Sequence, residues 1–212
     1  MKFFKTLIAA AVVVASVAPA AAQVYESKSY IKKTTNTTTI DNSYKNYSRL
    51  GLYYNNITWY GDTGVGNVGM NGLNLQYVYG ISLTKKYPMF LEVGGAFKFG
   101  IGEQRGIDFQ DFIFEIPVNY SYRFFFNNRK FSVSPFVGLN FDIHLASSFS
   151  GYDGSYDLFE YDDTHRFQMG WRLGANLDLR KFYVGLSYGT DFWGVMDGTS
   201  SGTFSVGLGF VF

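Results

Sequence analysis

Leu73-Asn74-Leu75-Gln76-Tyr77-Val78-Tyr79-Gly80-Ile81-Ser82-Leu83 changes character at every second residue. Leu73, Leu75, Tyr77, Tyr79, Ile81 and Leu83 are large and apolar, while Asn74, Gln76, Gly80 and Ser82 occupy the other parity. A period of two marks an extended strand with one apolar face, because successive side chains point to opposite sides. The run is about as long as a tilted strand needs to cross a bilayer. Which way its apolar face looks decides the fold.

The alternation continues along the chain. Leu91, Val93, Phe97, Phe99 and Ile101 oppose Glu92, Gly94, Ala96, Lys98 and Gly100. Phe112, Phe114, Ile116, Val118, Tyr120 and Tyr122 oppose Glu115, Pro117, Asn119 and Ser121. Val133, Val137, Leu139, Phe141, Ile143 and Leu145 oppose Ser134, Gly138, Asn140, Asp142 and His144. Further strands follow around Phe167–Leu179, Phe182–Gly189 and Thr203–Phe212. The first, from about Ser48 to Thr58, is the least regular, with Leu50, Leu52 and Tyr54 leading.

A soluble sandwich or lipocalin turns its apolar face inward and also alternates. Here strand after strand sets bulky Phe, Leu and Tyr against Gly, Ser, Asn and charge. Small and polar residues fit the narrow inside of a barrel, and the bulky ones fit lipid. The connections after the first, third, fifth and seventh strands read as the longer ones, the asymmetry of a barrel with both ends in the periplasm. Short turns carry Lys85-Lys86, Arg129-Lys130 and Arg180-Lys181, whereas the longest loop carries Asp153, Asp157, Glu160, Asp162 and Asp163. A strand-built membrane protein must close to satisfy its backbone. The predicted fold is therefore an all-β, antiparallel, up-and-down transmembrane β-barrel of about eight strands.

Composition agrees. Among 212 residues there are 22 Phe, 17 Tyr and 24 Gly against 4 Pro. Lys2 and Lys5, the apolar run Leu7 to Val17 and Ala20-Ala21-Ala22 make residues 1–22 a signal peptide. Residues 23–46, rich in Thr, Asn, Ser and Lys, read as a polar, flexible periplasmic leader, and residues 47–212 as the barrel. Without the two signal lysines, 16 basic residues face 17 acidic ones, a balance that implies no nucleic-acid partner. With no Cys, thiolate metal sites, thiol nucleophiles, disulfides and a lipobox are all excluded.

The signal peptide, the alternating strands and the terminal Phe204-Ser205-Val206-Gly207-Leu208-Gly209-Phe210-Val211-Phe212 together resemble the eight-stranded OmpA/OmpX-type barrels. The Phe/Tyr/Gly-rich style is similar to the "porin family" of outer-membrane β-barrel domain proteins of Bacteroidota. The resemblance covers residues 47 to 212. It implies residence in the outer membrane among its lipids, a monomeric state, and export followed by folding on the barrel-assembly machinery. In such families the last strand, ending in Phe, is the assembly signal. That role would fall to Phe212, with Phe210 and Leu208 on the same face. No peptidoglycan-binding module is expected after the last strand.

The inward parities hold Glu92, Glu115, Asp142 and Asp178 against Lys98, Arg123, Arg166 and Arg172. Unpaired charges inside a narrow barrel are costly, so these eight are expected to form an ion-pair network. Eight strands leave an interior just wide enough for side chains, which favours a filled lumen over a conducting pore. No enzyme is expected: His144 and His165 lack the His-x-Ser spacing of lipid-modifying barrels. No cofactor or metal is implied either, since the acidic loop lacks an ordered D-x-D-x-D-G pattern. Trp59, Tyr60, Phe192 and Trp193 read as an interfacial aromatic girdle. Tyr152, Tyr156, Phe159 and Tyr161 form a candidate contact surface for an extracellular ligand or host surface. The function expected is structural or interactive, in envelope integrity and surface binding. Passage of small solutes or apolar molecules is the alternative, and lipid modification a distant third.

Overall fold

Each stretch of alternation becomes a strand, and each strand pairs with the next in sequence. In the computed structural model, which describes residues 44–61, 66–126, 131–152, 154–160 and 163–212, the barrel strands are β1 (Tyr47–Gly61), β2 (Val68–Ser82), β3 (Met89–Gln104), β4 (Ile107–Tyr122), β5 (Phe131–Gly151), β6 (Phe167–Leu179), β7 (Phe182–Asp191) and β8 (Thr199–Val211). Two short strands, Phe124–Phe126 and Gly154–Asp157, add to the two ends of β5. The signal peptide, the leader up to residue 43, Arg129, Lys130, Asp153, Tyr161 and Asp162 lie outside the described residues.

All neighbouring strands are antiparallel, and β1 pairs with both β2 and β8. Leu52 stands opposite Leu75 on one side and Leu208 on the other. Ser48 and Phe212 complete the seam by exchanging backbone hydrogen bonds of 3.0 and 2.9 Å. The result is a closed 8-stranded barrel without sheet edges, the arrangement that lets strands stand in lipid. No helix among the described residues is long and apolar enough to cross a membrane.

The apolar parity faces outward. Leu208 is 67 % exposed, Phe182 58 % and Leu73 55 %, and similar residues encircle the barrel. A continuous apolar belt of this extent is a surface for lipid. The other parity is buried and mostly polar, with Asn55, Gln76, Ser134 and Asn176 among its members. Glycines on this parity make room for large neighbours. A Cβ on Gly51 would lie 2.1 Å from the Tyr183 hydroxyl, and one on Gly185 2.7 Å from the Tyr53 hydroxyl.

Two local features depart from the sequence reading. The third connection is not a long loop: β3 and β4 continue to a two-residue turn, Arg105-Gly106, with φ of +54° and +76°. Positive φ at both central positions is the tight hairpin geometry whose twist matches the flanking strands. The extra length had gone into strand, because Ile107 and Phe109 extend the alternation. Second, the β4–β5 register slips by one residue between Phe112 and Ile113. The bulge lets His144 and Ser147 both face inward although they are three residues apart.

Candidate functional site

The lumen is filled in three layers. At the end that holds both termini of the barrel, Arg49 of β1 reaches across to two carboxylates. Its Nη1 lies 2.8 Å from Glu92 Oε1, and its Nε and Nη2 donate to the two oxygens of Asp178 at 3.1 and 2.9 Å. This fork-to-carboxylate geometry is the strong, directional form of an ion pair. Arg123, just after β4, adds a contact of 2.8 Å to Asp178 Oδ2. The ring of Tyr47 lies between the two guanidinium groups, 4.6 Å from that of Arg49 and 4.4 Å from that of Arg123. Its hydroxyl donates to Glu92, which also accepts from Ser121 at 2.8 Å. Cation–π contact and shared hydrogen bonds thus offset the burial of four charges.

Midway, Lys98 Nζ lies 2.5 Å from Glu115 Oε2 and 3.2 Å from Asp142 Oδ2. Arg172 Nη1 donates to the other oxygen of Glu115 at 2.6 Å. Asn140 links Asp142 to Asp191 at 3.3 and 2.9 Å. All four charged side chains of the Lys98–Glu115–Asp142–Arg172 group are less than 10 % exposed. Between these two layers the Tyr53 hydroxyl donates to that of Tyr183 at 3.0 Å.

Toward the opposite mouth the filling becomes apolar. Ile57, Trp59, Val68, Met70, Phe109 and Ile113 pack inside the barrel, and Leu158 and Val195 close over them from the connections after β5 and β7. At its edge Asp111 and His144 Nδ1 lie 2.9 Å apart. Gln168, its amide oriented by its neighbours, donates to His144 Nε2 and to Asp191 at 3.0 and 2.9 Å while accepting from the Val195 amide. Cavities of about 10 and 20 Å³ lie among the charged layers, each close to the size of one water molecule.

Of the eight residues expected in the lumen, Glu92, Lys98, Glu115, Arg123, Asp142, Arg172 and Asp178 line it. Arg166 does not. It precedes β6 at the mouth, where Nη1 donates to the carbonyls of His144 and Leu145 at 3.3 and 3.2 Å and the guanidinium covers Phe159. Its place is taken by Arg49. The parity of β1 pointed to it, but Tyr47, Tyr53, Ile57 and Trp59 share that inward face and hid the polar pattern. Asp111 and Asp191 were missed as well, since Asp111 precedes the clear alternation that starts at Phe112 and Asp191 ends its strand.

Aromatic placement is mixed. Tyr60, Phe192 and Trp193 are exposed at the rim of that mouth, but Trp59 is buried in the lumen, set edge-on to Phe109 at 6.2 Å. One-residue parity separates Tyr60 outside from Trp59 inside. In the long connection, Tyr152 is fully exposed and Tyr156 stacks on Phe149 at 5.5 Å. Phe159 instead turns toward the lumen filling and packs against it; Tyr161 is outside the described residues. Leu208 and Phe210 face outward on β8, and Phe212 sits at the seam. No group of three or more His, Asp or Glu among the described residues is placed to hold a metal ion.

No protein-family model and no curated protein matches the sequence. Solved structures do match the fold. The attachment invasion locus protein Ail of Yersinia pestis, solved in complex with the heparin analogue sucrose octasulfate, is 18% identical; the match covers 80% of this chain and 100% of that one, with a TM-score of 0.50. Neisserial surface protein A is 13% identical over 78% of this chain and 96% of that one, with a TM-score of 0.53. The chain therefore has the architecture of the small, eight-stranded outer-membrane β-barrels of the OmpA/OmpX type.

Proposed function

We propose that the protein is a structural and interaction barrel of the outer membrane, closed to solutes and presenting its outer connections to the surroundings. The observation that carries this reading is the layered lumen. Two ion-pair layers and an apolar layer follow one another along the axis, and Leu158 and Val195 seal the outer end. A solute would have to displace buried ion pairs and then a packed apolar core, both costly. The transport alternative needs a continuous wet path, and the cavities of about 10 and 20 Å³ among the described lumen residues each hold about one water.

The same reading assigns residues 1–22 to export, the polar residues before the barrel to the periplasm, and Phe212 with Phe210 and Leu208 to recognition by the barrel-assembly machinery. It describes a monomer held in lipid by its apolar belt. The buried His144 and Ser147 face a packed interior, which supports a non-enzymatic role, because catalysis requires access for a substrate. Swelling of proteoliposomes in isotonic sugar tests the proposal. A closed barrel gives the rate of protein-free liposomes, whereas swelling that changes on Arg172→Ala would replace this reading with transport.

A further inference from the structure

A larger cavity, of about 520 Å³, opens at the outer mouth between the connections after β5 and β7. Its volume is in the range of small-molecule sites. Its lining divides into two chemistries. Trp193, Phe167 and Met196 supply apolar surface, and His165, Arg166 and Asp197 supply polar groups. Trp193 is 40 % exposed, yet its indole Nε1 donates to the Phe167 carbonyl at 3.2 Å, so the ring is oriented before any ligand arrives. His165 Nε2 and Asp197 Oδ1 lie 3.0 Å apart, both open to solvent. Arg166 is anchored through Nη1 and by stacking on Phe159 at 4.1 Å.

The frame under these side chains is braced. Thr164 and Met196 form an antiparallel bridge between the two connections, the His165 amide donates to the Val195 carbonyl at 2.8 Å, and the Asp197 amide donates to that of Asp163 at 3.2 Å. Binding groups held this way lose little freedom on complex formation.

We propose that this cavity is a binding site for a neutral saccharide. A sugar ring offers a face of C–H groups and a rim of hydroxyls. The face suits the Trp193 ring, and the hydroxyls can donate to Asp197 and accept from Arg166 and His165. Charge selects the class of sugar. One carboxylate balances one guanidinium in the lining, and the exposed Asp163, whose carbonyl accepts from the Asp197 amide, adds negative charge beside it. A sulfated or phosphorylated sugar would be repelled by that surround. The proposal rests on the reading of this mouth as the barrel's exposed end.

Saturation-transfer NMR on the folded protein in nanodiscs tests it, with maltose, lactose, cellobiose and chitobiose as probes and sucrose octasulfate as the polyanionic control. At least one neutral disaccharide should show saturable transfer through its ring C–H protons. That binding should weaken at least tenfold in Asp197→Asn and vanish in Trp193→Ala, with both variants still heat-modifiable on a gel. Because Asp197 is exposed, its amide variant isolates recognition from folding. Absence of transfer from all four sugars, transfer unchanged in both variants, or transfer from sucrose octasulfate alone would each overturn the proposal. Such a result in a barrel that does not swell liposomes leaves the closed-barrel reading standing; swelling would overturn that reading and not this one.

Discussion

Glu115 and Asp142 face each other directly across β4 and β5, two buried carboxylates in register, and Lys98 Nζ lies within 3.2 Å of both. Like charges directly opposite on a sheet repel, and in a poorly solvated interior they do so strongly. Arg172 relieves Glu115 from its other side. Among the described residues, Lys98 is the one cation that touches both carboxylates in this layer. Replacing it by Met should cost about 3–5 kcal/mol, the usual cost of breaking a buried pair from one side. Urea titration of the folded barrel in detergent micelles checks this. The triple variant Lys98→Met, Glu115→Gln, Asp142→Asn should regain most of the loss, because no unpaired charge remains.

The apolar layer at the mouth predicts a different pair of outcomes. Trp59→Ala removes a large buried ring and should cost about 3–5 kcal/mol. Leu158→Ser should do less to the barrel but release the connection after β5, since Leu158 is that segment's buried anchor. Limited proteolysis should then cleave the connection many times faster than in the parent. Equal cleavage rates would mean that Leu158 does not hold it.

Gly51 and Gly69 are on the same barrel and should respond oppositely. A side chain on Gly51 would run into Tyr183, whereas a Cβ on Gly69 meets nothing within 4 Å. Gly51→Val should prevent the heat-modifiable form from appearing, and Gly69→Ala should leave it intact. The contrast checks that the lumen, and not strand propensity, sets the limit.

Phe212, the residue after β8, exchanges hydrogen bonds with Ser48 through its backbone. Those bonds survive substitution of the side chain. Phe212→Ala should therefore refold in detergent as the parent does, while the amount assembled in cell membranes falls severalfold. A parallel loss in detergent would show that the side chain matters for stability and not for assembly.

How far the sequence reached follows from what alternation can encode. Leu73 to Leu83 fixed strand, period and outward face, because lipid demands bulk on one parity wherever a strand crosses it. The same rule identified Lys98, Glu115, Asp142 and Arg172, whose strands alternate cleanly. It failed for Arg49, whose inward face also carries Tyr47, Tyr53, Ile57 and Trp59, since filling a lumen constrains volume and not polarity. Arg166 misled for the converse reason: its parity suited the lumen, but it lies before β6 begins, where parity no longer governs direction. The cavity at the mouth was least legible. It depends on two connections bridged at Thr164 and Met196, a long-range pairing that no local period reports.

The central claim is that side chains close the lumen to solutes. Single-channel recording in planar bilayers tests it most directly, using protein whose folded state has been checked by its heat-dependent gel shift. The layered ion pairs and the apolar plug predict a silent membrane, with no stepwise conductance over the bilayer background. Discrete, repeated opening steps from the folded parent protein would contradict it.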